Sequence, residues 1–429
     1  MSAQPLRLGI AGLGTVGIGV VKIVQRHPAL LAARAGRTIE IGAICARDRS
    51  RPRDADLSAY AWEDDPVALA RRDDVDLVVE VMGGADGPAK AATEAALAAG
   101  KDVVTANKAM LAHHGNALAE AAEAAGRVIR FEAAVAGGIP VVKALTEGLA
   151  GNEIRRVMGV MNGTCNYILT RMESAGLPYD TVFEEARQLG YLEADPSLDV
   201  GGIDAGHKLA LLAAIAFGTR VSFDDVRLQG IERISIDDIR RAGDMGFRIK
   251  LLGVAQMTGR GLEQRMSPCL VPADSPLGQL QGGTNMVVVE GDSVGQIVLR
   301  GAGAGEGPTA SAVMADVIEI ARGTRLSTFG QPAATLAAVQ PAAVAAPAPY
   351  YLRMELLDKP GALAKVAAAL GEAGISIDRM RQYGHETASA PVLIVTHRTT
   401  PDAIEHAIGA FAATGVVQGP PVALRIESV

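Results

Sequence analysis

The 429-residue chain is poor in cysteine and in aromatic residues, with 3 Cys and 3% Phe, Trp and Tyr together. The cysteines lie far apart without paired spacing, so the sequence predicts neither a disulfide framework nor a zinc site. The longest apolar run, near residues 209–217, is too short to cross a bilayer, and the first residues lead into a strand without a leader. A net charge of −7 offers no general surface for nucleic acid. We therefore expect a soluble cytoplasmic enzyme with no membrane or nucleic-acid partner.

The start of the chain predicts a dinucleotide-binding turn. An apolar run is followed by glycines at positions 12, 14 and 17 and then by a helix-like pattern. In this spacing the first glycine permits a tight turn, the second lets the backbone approach a pyrophosphate, and the third allows close helix packing. The preceding strand and following helix supply the context that the motif requires. The predicted cofactor contacts are Gly12, Leu13, Gly14, Thr15, Val16 and Gly17.

The end of the second predicted strand indicates which dinucleotide is preferred. An acid at this place usually holds the ribose hydroxyls of NAD, but the sequence has Arg47, followed by Asp48, Arg49, Arg51 and Arg53. Arginine favours a 2′-phosphate, so the pattern favours NADP. Asp48 keeps NAD open, and a solvated basic loop is the alternative interpretation.

Two further strand-like runs, at 75–84 and 101–108, flank an alanine-rich helix pattern. Alternating strands and helices predict a Rossmann-type, doubly wound parallel sheet, which binds its ligand at the carboxyl ends of the strands. A later glycine-rich run at 301–305 precedes a helix whose N-terminus would also face the cofactor. The candidate cofactor neighbours from these segments are Gly83, Gly84, Thr105, Lys108 and Gly305.

The remaining pattern predicts an α/β protein of several domains. After the parallel-sheet domain we expect an α+β substrate and dimerisation domain, an Ala/Pro-rich linker, and a C-terminal βαββαβ domain. The predicted ranges are 1–138 for the first domain, completed by about 301–330, then 139–300, 331–349 and 350–429.

Residues 190–208 hold an unusual density of acids together with one lysine. Asp204 and Lys208 stand four apart at the start of an apolar helix pattern, so both would lie on one helical face. A carboxylate beside an amine can handle a proton, whereas an ordinary helix start with a surface ion pair is the alternative. The loop after Glu132 leaves a similar choice between an oxygen-lined cation cage and a glycine-rich hinge.

Seven segments in this order closely resemble the homoserine dehydrogenase family, in its bacterial monofunctional form with a C-terminal ACT domain. The matching segments are GLGTVG (12–17), VVTANKAML (103–111), FEAAVAGGIP (131–140), NGTCNYIL (162–169), GYLEADPSLDVGGIDAGHK (190–208), GAGAGEGPTASAV (301–313) and LDKPGALAKV (357–366).

The resemblance implies reversible NAD(P)-linked interconversion of L-homoserine and L-aspartate 4-semialdehyde, on the route to threonine and methionine. It implies that Lys208 carries the proton, with Lys108 near the nicotinamide and the reacting oxygen, and that Asp204 orders the pocket. The implied substrate contacts are Glu193, Asp199, Gly163 and Thr164. A structural sodium ion is implied at Glu132, Val135, Gly137 and Ile139.

The ACT resemblance implies an L-threonine effector, bound near the turn at 358–361 or at a domain interface, and a homodimer or homotetramer. A purely dimerising ACT domain is the alternative. Two rival functions stay open: another ACT-bearing amino- or hydroxy-acid dehydrogenase, and a catalytically silent nucleotide and amino-acid sensor. The first would lack the Glu193 to Lys208 constellation, and the presence of both Lys108 and Lys208 argues against the second.

Overall fold

A six-stranded parallel sheet forms the first third of the chain. The computed structural model describes residues 4–192, 195–384 and 389–428. The sheet has the order β3-β2-β1-β4-β5-β6, which is the doubly wound order with its crevice between β1 and β4. The predicted fold class is thereby confirmed. The elements are β1 (Leu6–Ala11), α1 (Thr15–Arg26), α2 (Pro28–Ala35), β2 (Ile39–Cys45), β3 (Ala61–Glu63), α3 (Pro66–Arg71), β4 (Leu77–Glu80), α4 (Pro88–Ala98), β5 (Asp102–Thr105), α5 (Lys108–Ala124) and β6 (Ile129–Arg130).

Local sequence explains where these elements begin. Strands β4 and β5 are buried throughout, as expected for strands covered by helices on both faces. Asn107 caps α5 by accepting a hydrogen bond from the Met110 amide, at 3.0 Å. This cap makes Lys108 the first residue of α5, at the carboxyl edge of the sheet.

The middle of the chain forms a second, larger sheet layered with helices. A 3-10 turn at Glu132–Ala134 leads into it. The following elements are α6 (Val141–Lys143), which continues as a π-helical turn at Ala144–Gly148, β7 (Ile154–Val160), α7 (Gly163–Ala175), α8 (Tyr179–Gln188), α9 (Ser197–Val200), α10 (Ile203–Phe217), β8 (Arg227–Leu228), α11 (Ile236–Asp244), β9 (Phe247–Thr258), β10 (Gly261–Pro272), β11 (Thr284–Gly291), β12 (Gly295–Ala302) and α12 (Glu306–Ala321).

Helix α12 returns to pack on α1. The contact is close because Gly19 has no side chain: an added Cβ would lie 2.8 Å from Ala310 and from the Glu306 carbonyl oxygen. The N-terminus of α12, capped by Gly305, therefore stands beside the predicted dinucleotide turn.

The C-terminal elements follow the predicted βαββαβ order: β13 (Tyr350–Leu357), α13 (Ala362–Glu372), β14 (Ile377–Gln382), β15 (Ser389–Thr396), α14 (Pro401–Ala413) and β16 (Val417–Ile426). Their sheet has the order β16-β13-β15-β14. Among the described residues, no helix combines the length and the apolar character that a membrane crossing needs.

The sheet of the C-terminal unit continues the sheet of the middle unit. Strand β16 pairs in parallel with β10, with Leu270 opposite Ile426, so the two form one ten-stranded sheet. At this junction the buried Arg265 guanidinium contacts both the Glu263 and the Glu427 carboxylates. The segment before β13 also lies against the protein, because Pro341 bridges to Leu262. The C-terminal unit is therefore bound to the middle unit through both backbone and charge.

Candidate functional site

A cavity of about 510 Å³ is lined by both the parallel-sheet half and the middle unit. Its wall combines charged and amide side chains with glycines and alanines, and these small residues let a ligand approach the backbone closely. Of the residues predicted from sequence, its wall holds Thr15, Val16, Lys108, Gly137, Gly163, Thr164, Asp199, Asp204, Lys208 and Gly305.

One carboxylate in this wall contacts two lysines from different helices. Asp204 and Lys208 lie one turn apart on α10, and Lys208 Nζ is 2.7 Å from Asp204 Oδ2. Lys108, at the start of α5, places its Nζ 2.8 Å from Asp204 Oδ1. Lys208 also donates to the Met161 carbonyl oxygen at 2.8 Å. The predicted pair on one helical face is present, and the direct Lys108–Asp204 contact adds to it.

The electrostatics of Asp204 follow from these contacts. Burial alone would raise the pKa of the Asp204 carboxyl, but the ammonium groups of Lys208 and Lys108 outweigh it and hold that pKa well below its usual range. Asp204 is therefore ionised at neutral pH. Its carboxylate is the counterion of both amines.

The start of α7 supplies further residues of this wall. Asn162 caps this helix by accepting from the Cys165 amide at 2.8 Å, and its Nδ2 donates to Asp199 Oδ1 at 2.9 Å. Thr164 Oγ1 donates to the Tyr191 carbonyl oxygen at 2.9 Å. These bonds bring Gly163, Thr164 and Asp199 to one side of the cavity. Glu193, also predicted to contact the substrate, lies outside the described residues.

A second cavity, also of about 510 Å³, follows the carboxyl edge of β1 and β2. An added Cβ at Gly14 would meet no protein atom within 4 Å, so a side chain there would fill the cavity itself. This suits a backbone that must approach a bound phosphate. The predicted residues in this wall are Gly12, Leu13, Gly14, Arg47 and Gly83.

Three predicted cofactor residues are not part of either cavity wall. An added Cβ at Gly17 would lie 1.9 Å from the Gly12 carbonyl oxygen, so this glycine permits helix–turn packing. Thr105 donates to Glu80 Oε2 at 2.6 Å, and the Gly84 carbonyl accepts from Asn107 Nδ2 at 2.7 Å. Their contacts support the turn and the α5 cap.

The basic loop divides into residues that hold it and residues that face the cavity. Arg53 donates to the carbonyl oxygens of Leu13 and Asp48, and its guanidinium lies 5.6 Å from the Trp62 ring centre. Arg53 therefore fixes the loop to the glycine turn. Arg47 is exposed in the same cavity wall.

The loop predicted to hold a cation surrounds a buried acid. The two Glu132 carboxylate oxygens accept from the amides of Val142 and Lys143, at 2.9 and 2.8 Å. Burial, reinforced by the nearby Asp316 carboxylate, raises the pKa of Glu132 to about 7.

The other three predicted sodium ligands lie in the loop that follows Glu132. Gly137 turns this loop with a φ of 55°. Val135 and Ile139 lie on either side of that turn; the Ile139 carbonyl accepts from the Val141 amide at 2.8 Å. Within the described ranges, no three His, Cys, Asp or Glu residues form a metal cluster.

Sequence reasoning missed several wall residues. Asn162, Tyr191 and Asn285 line the first cavity, and Asp64 lines the second, where Arg51 of the predicted basic loop also lies. Two of them carried a signal, because Asn162 directly precedes a glycine and Asn285 follows the run Gly282–Gly283. A polar amide next to glycines is typical of a site where backbone and ligand meet closely.

Comparison with known proteins agrees with this geometry. Three family models match: homoserine dehydrogenase over residues 140–318, the homoserine dehydrogenase NAD-binding domain over 12–132, and the ACT domain over 350–415. Homoserine dehydrogenase of Neisseria gonorrhoeae is 42% identical over 99% of both chains. The crystal structure of a Thiobacillus denitrificans homoserine dehydrogenase covers 100% of both chains at 38% identity, with a TM-score of 0.93. A hyperthermophilic archaeal homoserine dehydrogenase in complex with NADPH covers 75% of this chain and 99% of its own at 26% identity, with a TM-score of 0.64.

The resemblance found in the sequence is therefore confirmed over nearly the whole length. The cavity that joins a dinucleotide turn to a lysine–carboxylate cluster belongs to an NAD(P)-dependent oxidoreductase acting on CH–OH groups. On the identity and coverage of these relatives, the chain belongs to the homoserine dehydrogenase family.

Proposed function

We propose that this protein interconverts L-homoserine and L-aspartate 4-semialdehyde, on the aspartate-derived route to threonine and methionine. The observation that carries the proposal is the shared cavity wall. Residues of the dinucleotide turn, Thr15 and Val16, line the same cavity as Lys108, Asp204 and Lys208. A hydride acceptor and a proton carrier would thus meet at one substrate.

The proposed proton carrier is Lys208. In its neutral form it takes the hydroxyl proton of homoserine while hydride leaves C4, and in its charged form it returns a proton to the carbonyl oxygen of the semialdehyde. When bound, the nicotinamide supplies the hydride acceptor or donor. Asp204 fixes Lys208 and Lys108 from a single carboxylate, so both amines keep their place as Lys208 changes charge.

The proposed substrate anchors line the same cavity as these lysines. Asp199, held by Asn162, offers a carboxylate to the substrate ammonium group. The backbone of Gly163 and Thr164 lines the cavity next to Asp199. By family resemblance Glu193 adds a second carboxylate for the ammonium group.

Replacing Lys208 tests the proposed chemistry. We expect Lys208→Met to lower kcat for homoserine oxidation by about 10²–10⁴-fold, the usual contribution of a general base, with cofactor affinity changed little. A steady-state spectrophotometric assay and a cofactor titration measure both quantities.

Lys250→Met is the matched control, because Lys250 is also a buried lysine but bonds to Asn166 Oδ1 and the Leu280 carbonyl. Burial lowers the pKa of Lys250 to about 8, which eases its replacement by a neutral side chain. We expect this variant to lose stability while kcat is retained. Comparable kcat in Lys208→Met and wild type would contradict the assignment.

We propose that NADP is the preferred cofactor and that Arg47 contacts its 2′-phosphate. Arg47→Ala is expected to weaken NADPH binding about tenfold or more, since a charge-assisted contact to phosphate is lost, and to change NADH binding little. Arg49→Ala is the control: Arg49 belongs to the same loop but lies over Trp62, 5.3 Å from its ring centre. Fluorescence titration with both cofactors measures the effect. An equal loss for NADPH and NADH would remove the 2′-phosphate assignment.

We propose a structural sodium ion at the loop around Glu132, with backbone carbonyls of Val135, Gly137 and Ile139. The acids around this loop outnumber the bases. Lys143 Nζ lies 2.9 Å from Asp316 and 2.5 Å from Glu319, and Arg130 lies 2.7 Å from Glu319. Glu147 lies 3.5 Å from the same Arg130, so with Glu132 four acids surround two bases, and this excess of acids would attract a cation.

The raised pKa of Glu132 gives this proposal a pH signature. Because the folded protein binds this proton more tightly than the unfolded chain, the free energy of unfolding falls as pH rises from about 4.5 to about 7. The difference corresponds to roughly 3 kcal/mol. Bound sodium would offset it by favouring the ionised carboxylate. We therefore expect NaCl to raise the Tm above that in choline chloride of equal ionic strength, and to raise it more at pH 8 than at pH 5.5.

Glu132→Gln is the control for the sodium effect, because it keeps one acceptor for the helix amides and has no proton to titrate. Its Tm should not respond to sodium, and it should lack the part of the pH dependence between pH 4.5 and 7 that comes from the Glu132 carboxyl. Identical wild-type Tm values in the two salts at pH 8 would count against the ion.

We propose that the ACT domain binds L-threonine near the turn at 358–361, between β13 and α13. We expect threonine to lower the activity of the wild type, and Asp358→Ala to raise the half-inhibiting concentration about tenfold; Asp402→Ala, at the start of α14, is the control. Substitution is preferable to truncation, because β16 completes the sheet that begins in the middle unit. A wild type that does not respond to threonine would leave the domain a purely structural role.

A further inference from the structure

One buried amide oxygen in the first cavity has no hydrogen-bond partner among the described residues. It is Oδ1 of Asn285, a residue that is only 1% exposed. A buried acceptor without a donor is unfavourable by about 1–3 kcal/mol, and native proteins seldom keep one unless a ligand or water completes it. Asn285 lines the cavity that also holds Lys108 and Lys208.

The orientation of this amide is fixed by its other end. Asn285 Nδ2 donates to the Met161 carbonyl oxygen at 3.1 Å, the same oxygen that accepts from Lys208 Nζ at 2.8 Å. A carbonyl oxygen can only be matched by the NH2 end of the amide, so Oδ1 must face the other way. Pairing of β11 with β12 places Asn285 opposite Gly301 and fixes its backbone.

The neighbours of Asn285 point to the cofactor side of the cavity. An added Cβ at Gly303 would lie 2.0 Å from Asn285 Nδ2, so the amide packs directly on the glycine loop that leads to Gly305 and α12. That loop shares its cavity wall with Thr15 and Val16 of the dinucleotide turn. Asn285 Oδ1 would lie 2.6 Å from the same Cβ added at Gly303 and 3.5 Å from a Cβ added at Gly163. Asn285 therefore stands where the cofactor end and the substrate end of the cavity meet.

Three groups of the ligands could donate a hydrogen bond to Asn285 Oδ1, and their chemistry distinguishes them. The substrate ammonium group is better matched by a carboxylate such as Asp199 than by a neutral amide. The substrate hydroxyl is a donor only in the alcohol, and its proton passes to Lys208. The carboxamide NH2 of nicotinamide is neutral and is present in both the oxidised and the reduced cofactor.

We propose that Asn285 Oδ1 accepts a hydrogen bond from the carboxamide NH2 of the nicotinamide and so fixes which face of the ring is turned to the substrate. The assignment rests on the proposed dehydrogenase function. Asn285 is thus a cofactor-binding residue in the middle unit, outside the family's NAD-binding segment at 12–132. The contact would connect the orientation of the ring to Met161, and through it to Lys208.

A cofactor analogue that lacks this donor tests the contact directly. In 3-acetylpyridine adenine dinucleotide phosphate a methyl group replaces the amide NH2. With NADP⁺, Asn285→Leu should lower kcat/KM for homoserine oxidation about tenfold. With the analogue the same substitution should lower kcat/KM by a clearly smaller factor, because only the loss of the Met161 contact, which is common to both cofactors, remains. Only the ratio of variant to wild type is compared, because the analogue differs in reduction potential.

The matched control is Asn166→Leu. Asn166 is also a buried asparagine, but its Oδ1 accepts from Lys250 at 3.0 Å and its Nδ2 donates to the Gly282 carbonyl at 2.7 Å. This variant should lose thermal stability and show the same relative loss with both cofactors. If Asn285→Leu does not fold, Asn285→Ser provides the same comparison.

The two proposals fail in different ways. Equal losses with NADP⁺ and the analogue in Asn285→Leu would overturn the carboxamide contact while leaving homoserine oxidation intact. A wild type that oxidises homoserine with neither cofactor would overturn the proposed function. In that case the dissociation constants of NADP⁺ and the analogue, measured by calorimetry on the wild type and Asn285→Leu, still decide the contact by the same ratio.

Discussion

The carboxylate of Asp204 holds two ammonium groups at once, and the placement of the two halves of the site depends on it. Lys108 comes from α5 of the parallel-sheet half, whereas Asp204 and Lys208 come from α10 of the middle unit. A buried charge is costly unless it is paired and hydrogen-bonded, and without Asp204 the two ammonium groups would face each other with no counterion. The same two units meet again farther along α5, where Asn116 exchanges hydrogen bonds of 2.9 and 3.0 Å with the Val221 backbone. The contact that forms the chemical site therefore also belongs to the interface between the units.

The parts of the site that the sequence could predict are those set by neighbours along the chain. The glycines at 12, 14 and 17 act within one turn, and the i,i+4 spacing of Asp204 and Lys208 places both on one helical face. The apolar runs and turn residues between 350 and 429 likewise predicted the C-terminal order, because each element is short and bounded by turn residues. These features could be predicted because they depend only on residues that are close in sequence.

The parts that the sequence could not predict depend on contacts between residues that are far apart in the chain. Asn285 reaches the Met161 carbonyl across 124 residues, and Arg265 reaches Glu427 across 162. Neither residue type indicates such a partner, since asparagine and arginine are common in ordinary loops and surfaces. The continuation of the middle sheet through β10 and β16 escaped prediction for the same reason: an alanine- and proline-rich segment suggests a tether, and its composition does not show where the chain packs afterwards.

The charges around Asp204 give the site a simple way to serve both directions of the proposed reaction. When Lys208 is neutral, Lys108 and Asp204 form a balanced ion pair, and the free electron pair of Lys208 can accept the hydroxyl proton. When Lys208 is charged, two ammonium groups face one carboxylate, and the surplus positive charge favours negative charge developing on the carbonyl oxygen. Because Lys108 contacts Asp204 in either case, the carboxylate keeps one counterion when Lys208 loses its charge. In the proposed mechanism, one anion between two amines would serve the proton transfer in both directions.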